Sequence, residues 1–426
     1  IADAGDDGVW DTAYSAGSTY PVTTGYTPSK TAYFANNEAD LVVAIQNALY
    51  DMIKGDYTTA AAGVTTSGAS SISQDWALVP SVEYPGWEGH LRALDLTQTG
   101  QPEQWDAGTL LETRTYSDRK LYTGFPDTNG GTPVPLLDAS GNGNLSGGCT
   151  DCGPKGAKDV WTALNTAYGV TVPPDAEITA TVEWLAGKSR SWKLPPIINS
   201  VPAVLGRPPR YNAGDHVQFE SVHANRERLI YIASNEGFVH AFASETGDER
   251  FAYLMPELLP RAHELWKAGG QHADPQLFKW ILANSPRVED IPGSSSWSTQ
   301  LVITSGKDSS AMAVLDITSP STCSGGTCTL ATPPFTILAS SRDLAMSSTV
   351  GETWAVPAMF YGGTGVNLYG RMAMGSRYYG SGDAGEHYNY FSTLWSAPTT
   401  PSPNPHAKST AVVDYAVLAN TAAAID

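Results

Sequence analysis

Residues 228–254, RLIYIASNEGFVHAFASETGDERFAYL, constrain the fold more than any other stretch. Arg228 to Ala233 is β-branched and aromatic, and Asn235-Glu236-Gly237 is a tight-turn signal. Phe238 to Ala243 alternates large and small residues. Glu245-Thr246-Gly247-Asp248 is a second turn, and Glu249 to Leu254 a third short strand. Three hairpin-linked strands with no helix between them make most of one propeller blade.

The unit recurs. GHLRALDLTQTG (89–100), GFVHAFASETGD (237–248) and SAMAVLDITSPS (310–321) each set a small residue, alternating apolar positions and a polar turn in one order. NSVPAVLG (199–206) echoes WAVPAMFYG (354–362), a Val-Pro-Ala opening onto an apolar strand. Repetition of one strand–turn–strand unit predicts radial repetition, in which each blade buries its faces on its neighbours. The expected fold is an all-β, quinoprotein-like propeller of about seven blades with short helical insertions. The 41 Gly and 29 Pro suit a chain with many turns.

Other segments depart from this pattern. Residues 37–54, NEADLVVAIQNALYDMIK, place Leu41, Ile45, Ala48, Leu49 and Met52 on one helical face. Two insertions are expected, near 125–158 and 256–284, the second as two short helices around Gly269-Gly270. SAPTTPSPNPHAKS (396–409) reads as a loop or linker.

The charge excludes one partner class. A net charge of −18 repels phosphate backbones and anionic lipid surfaces, so nucleic acid is not expected. No apolar run reaches the roughly 18 residues a transmembrane helix needs. The opening at Ile1, without an initiator Met, reads as a piece of a longer protein.

The four cysteines form two close pairs, Cys149 with Cys152 and Cys323 with Cys328. Local disulfides are favoured by proximity; cross-pairing and a four-thiolate zinc site stay open. Disulfides would place the chain in an oxidising, extracytoplasmic compartment.

With these segments placed, the chain resembles the C-terminal region of the PilY family of type IV pilus adhesins and assembly factors. The opening IADAGDD and AYFANNEADLVVAIQNAL are similar to the tail of the von Willebrand A-type domain upstream in many members. WEGHLRALDL with WDAGTLL (105–111) is similar to the first propeller strands. VEWLAGKSR, NSVPAVLGRPP, residues 228–260, SSSWSTQLVITSGKDSSAMAVLDITSP and TVGETWAVPAMF follow in family order. The resemblance implies residues 1–56 as an A-type (α/β) remnant and 57–426 as the propeller. It further implies a non-enzymatic protein outside the cell at the pilus tip. Its partners would be pilins or minor pilins and a host or abiotic surface.

The family's calcium loop, of the Asp-x-Asp-x-Asn type, has no match here. The nearest run is Asp138-Ala-Ser-Gly-Asn-Gly-Asn144. There Asp138, Ser140, Asn142 and Asn144 offer oxygens at alternate positions, a spacing that can wrap calcium. A Gly/Asn loop has the same composition.

The enzymatic alternative is a quinoprotein-type dehydrogenase, whose blade wording GFVHAFASETG approximates, but no channel of convergent polar groups can be assembled. A purely structural pilin-docking module is a further alternative. His263-Glu264 with His272 lacks the His-Glu-x-x-His spacing of a zinc helix. Asp95, Asp316 and Glu245–Asp248 recur at strand ends, as expected for side-chain-to-backbone turn bonds.

Overall fold

A computed structural model describes residues 55–57, 63–64, 76–126, 131–145, 156–209, 215–271, 278–292, 297–307, 309, 311–324, 326–341, 356–362, 369–376, 387–393 and 416–418. The chain divides into two compact units, residues 1–55 and 56–426. The helix expected over 37–54, Cys149, Cys152 and His272 lie outside the described residues.

The described residues are mostly β, in several sheets, none closed. The first sheet contains β1 (Gly55–Tyr57), β2 (Gly63–Val64), β3 (Trp76–Tyr84), β4 (Glu88–Asp95) and β5 (Glu103–Asp106). Its order is β1-β3-β4-β5, with β2 also on β3. Helix α1 (Ala107–Thr113) follows at once, where the family resemblance implied strand. Asp106 explains the switch: its carboxylate caps the helix by accepting from Gly108 N at 2.8 Å.

The second sheet contains β6 (Leu121–Thr123) and β7 (Val134–Pro135). Helices α2 (Ala157–Tyr168) and α3 (Asp175–Ala186) come next, then β8 (Ala203–Leu205) and α4 (His216–Val222). The opening segment becomes β9 (Leu229–Ala233), β10 (Phe238–Ala243) and β11 (Glu249–Leu254). The sheet order is β7-β6-β11-β10-β9-β8, with β6 and β11 parallel.

Among the described residues of the insertion after β11 there is one α-helix, α5 (Leu259–Lys267), where two were expected. Residues 278–284 are not helical. Ile281 N instead donates to Asn235 Oδ1 and Ala283 N to Ser305 O, which ties this stretch to neighbouring strands.

The third sheet is β12 (Arg287–Pro292), β13 (Trp297–Thr304) and β14 (Met312–Asp316), then a ribbon of β15 (Ser321–Ser324) and β16 (Thr327–Leu330), then β17 (Thr336–Ser340). Its order is β12-β13-β14-β17. Cys323 and Cys328 face each other across the ribbon and are disulfide-bonded. The fourth sheet is β18 (Ala358–Gly362), β19 (Tyr369–Ser376), β20 (His387–Thr393) and β21 (Ala416–Leu418), an up-and-down meander.

Strands β9 to β11 are buried along almost their whole length because both faces are covered, with His240, Glu249 and Arg250 as their polar exceptions. Successive side chains point to opposite faces. Tyr231, Val239, Ala241, Phe251 and Tyr253 pack on Leu301, Ile303, Leu315 and Ile337 of the third sheet. Ile230, Ile232 and Phe242 pack on Leu78, Leu91 and Trp105 of the first. Phe238, Ala252 and Leu254 pack on Trp161 and Val182 of the helices. Each large apolar side chain fully buried this way contributes about 1.5–3 kcal/mol.

The repeated sequences occupy one structural position. Each supplies the third strand of a four-strand run, β1-β3-β4-β5, β8-β9-β10-β11 or β12-β13-β14-β17, and each carries a register shift at the same place. The shift lies at Ala93/Leu94 in β4, Ala241/Phe242 in β10 and Val314/Leu315 in β14. A bulge there bends the strand and increases its twist.

Candidate functional site

A cleft of about 360 Å³ opens where the β3–β4 turn, the end of α3, the β9–β10 turn and the end of α5 meet. Its floor is Glu236, from the tight turn of the opening segment, and only 2% exposed. Arg190 grips that carboxylate with both guanidinium nitrogens, at 2.6 and 2.9 Å. Such a bidentate pair is geometrically fixed as well as strong. The same guanidinium lies 4.5 Å over the ring of Trp184, a cation–π contact. Gly237 completes the turn with φ of +104°, a conformation that disfavours any side chain.

Trp87 and Trp192 add indole surface. Trp87 packs on Phe278 with ring centroids 4.4 Å apart and the planes tilted by 40°, and its buried Nε1 has no hydrogen-bond partner. Trp192 Nε1 donates to Gly89 O at 3.0 Å. Two lining residues, Trp87 and Ser189, are non-glycine residues in the left-handed region, with φ of 56° and 62°. Strained backbone of this kind concentrates at ligand sites and switches. The exposed lining of the cleft is predominantly polar, so over this fixed ion pair it suits a polar ligand. The cysteines, repeats and acidic loop drew attention elsewhere in the sequence. The usable signal was Trp-rich loops beside a turn glutamate.

Beneath the central sheet lies a second polar constellation. Ser234 Oγ is 2.8 Å from His240 Nε2, and His240 Nδ1 is 2.8 Å from Glu249 Oε1. Arg119 donates to both Glu249 oxygens at 2.8 Å, and to the carbonyls of Leu185 and Ala186 at the end of α3. The order serine, histidine, glutamate imitates a hydrolase relay. Ser234 and His240 are 0% exposed, so no substrate reaches them in this conformation. Burial pushes the His240 imidazole below its ordinary value, against the pull of Glu249. Burial works to raise Glu249, but the charge and hydrogen bonds of Arg119, with His240, hold it well below the usual carboxylate range.

The remaining sequence candidates fall in separate places. In the loop 138–144, Asp138 Oδ1 accepts from the backbone N–H of Ser140 and Asn142 at 2.8 and 2.9 Å. Asn144 Nδ2 donates to Pro135 O at 2.8 Å. The loop is thus a closed, hydrogen-bonded turn. His263 packs between Trp161 and Trp266, bonds Thr181 Oγ1 through Nδ1 at 2.8 Å, and faces Glu177 through Nε2 at 3.2 Å. Asp95 and Asp316 make matching turns. Each Oδ1 accepts from the N–H and the hydroxyl of the threonine two residues on.

No family model matches the chain. Its homologues are PilY1 factors. It is 26% identical over 254 residues to the type IV pilus biogenesis factor PilY1 of Pseudomonas aeruginosa (strain UCBPP-PA14), covering 55% of this chain and 20% of that protein. Two type IV pilus biogenesis factor PilY1 homologues of Xylella fastidiosa (strain Temecula1 / ATCC 700964) also match. One is 28% identical over 141 residues, covering 31% of this chain and 11% of that protein. The other is 26% identical over 302 residues, covering 61% and 20%. The chain therefore spans a fifth or less of the length of these relatives. Among solved structures, the Pseudomonas aeruginosa PilY1 C-terminal domain aligns with a TM-score of 0.33 and 16% identity, covering 46% of this chain and 35% of that one.

Proposed function

We propose that this relative of the PilY1 factors serves type IV pilus biogenesis from outside the cytoplasm, at the pilus tip. There it binds pilins or minor pilins on one side and an external surface on the other, without catalysis. The observation that carries this reading is the similarity to three pilus biogenesis factors, one of them over 254 residues. Residues 57–426 are proposed to form a propeller of about seven blades, and residues 1–56 the tail of an A-type domain. Support for the propeller comes from three meanders bulged at one position and packed face to face. The net charge of −18 favours protein or cation partners over phosphate backbones.

The proposed test is deletion of the encoding gene. Surface pili and surface attachment should both fall, and complementation with the full-length gene should restore them. Unchanged piliation and attachment would remove the assignment.

Calcium is proposed at Asp138, Ser140, Asn142 and Asn144. The ion would have to replace part of the turn's hydrogen bonding, so the site should be weak. Calcium should raise the melting temperature of wild type and not of Asp138→Ala. Melting of wild type that ignores calcium refutes this part.

A further inference from the structure

We propose that Glu83, Glu88 and His90, brought together at the end of the β3–β4 hairpin, form a binding site for a divalent transition metal, with zinc as its best fit. Glu83 lies directly opposite Glu88 in the strand register. His90 is two residues beyond Glu88, so both project from the same face of β4. One ligand atom from each of the three lies within 4.8 Å of the others. Two carboxylates directly opposite one another repel across a strand pair. A cation between them reverses the sign of that interaction.

The histidine is what points to a metal. His90 is 5% exposed, and its Nδ1 is 2.6 Å from Asp106 Oδ2. A carboxylate oxygen accepts, so Nδ1 carries the proton and Nε2 of the neutral ring keeps its lone pair. That Nε2 is buried with no hydrogen-bond partner, and Glu83 Oε2 lies 3.9 Å away. A carboxylate bonded to the far nitrogen of a metal-ligating histidine is the usual outer-shell arrangement. Asp106 is itself held by Arg92 Nε at 3.2 Å and by Gly108 N at 2.8 Å. The imidazole is held by Trp192, with ring centroids 4.7 Å apart.

Even the backbone is fixed. A Cβ on Gly89 would lie 1.9 Å from Pro195 O, so the segment bearing Trp192 presses directly on β4. The ligand nitrogen is therefore oriented before any metal arrives.

The donor set selects the metal. Calcium takes oxygen ligands alone, whereas one imidazole with two carboxylates suits zinc and its neighbours. Three protein ligands leave a fourth position for water or a donor group from a partner. Glu88 also lines the cleft, so such a group could arrive by that route.

The competing reading is a doubly protonated His90 that bridges Asp106 and Glu83 with no metal. Titration of the chelator-treated full chain with zinc chloride at neutral pH separates the two. We expect one zinc equivalent that is lost in His90→Gln. Glu88→Gln should weaken it by at least the roughly 10–100-fold that removal of an outer-shell partner costs. Circular dichroism checks that each variant folds. If the His90 variant does not fold, the half-buried Glu88 variant decides alone. Calcium chloride in equal amount should not displace the zinc. Absence of the equivalent in wild type overturns the proposal, as does its full retention in folded Glu88→Gln or ready displacement by calcium.

Discussion

Glu249 is a carboxylate at 0% side-chain exposure, which only its partners make tolerable. Arg119 supplies a bidentate, equally buried countercharge, and His240 a further hydrogen bond. Removing one member of a buried pair is costly because it strands the other. Arg119→Met should therefore lower stability by about 3–5 kcal/mol, while Arg119→Met with Glu249→Leu should recover most of the loss. Urea denaturation measures both. The pH dependence has a definite sign. His240 has a folded pKa below its ordinary 6.5, so the unfolded chain binds the extra proton and stability falls as pH drops through that value. Glu249, lowered from an ordinary 4.5, adds a second loss below that pH. Urea midpoints should decline from pH 7 to pH 4; a flat profile would contradict this account. The Arg119–Glu249 pair was not legible in the sequence, because 130 residues separate the two. The turn aspartates were legible, because an Asx turn is closed within three residues.

At the scale of elements, the strands of 228–254 were readable because β-branched and aromatic runs are bounded by turn residues. The three sequence echoes also mark one structural position, down to the bulge. Asp316 closes its turn with two hydrogen bonds from Thr318, so Asp316→Ala should cost about 1 kcal/mol. The urea midpoint measures it, and an unchanged midpoint would deny the turn its role. Helices were harder to see. In α2, Val160, Trp161 and Leu164 face the core, and the Asp159 carboxylate accepts from Gly156 N at 3.2 Å. That helical pattern was present but adjoined a Gly/Asn-rich loop. In α1 the sequence WDAGTLL is compatible with strand, and the capping Asp106 makes it a helix. The cleft was not legible at all. Its walls come from four elements, and only folding brings Glu236 to Arg190.

For the whole molecule, the central sheet between two neighbours explains why its strands lack polar alternation. Stacking of that kind leaves turns and insertions to carry recognition. The cleft, the Glu83–Glu88–His90 hairpin end and the disulfide ribbon all lie in such connections. Pilus association is the central functional claim. It is tested most directly by shearing pili from intact cells, purifying them, and probing for this protein by immunoblot and mass spectrometry. The account predicts that the protein copurifies with pili and stays in the cell supernatant of a strain lacking the major pilin. Its absence from sheared pili, with normal amounts elsewhere in the cell, would contradict the account.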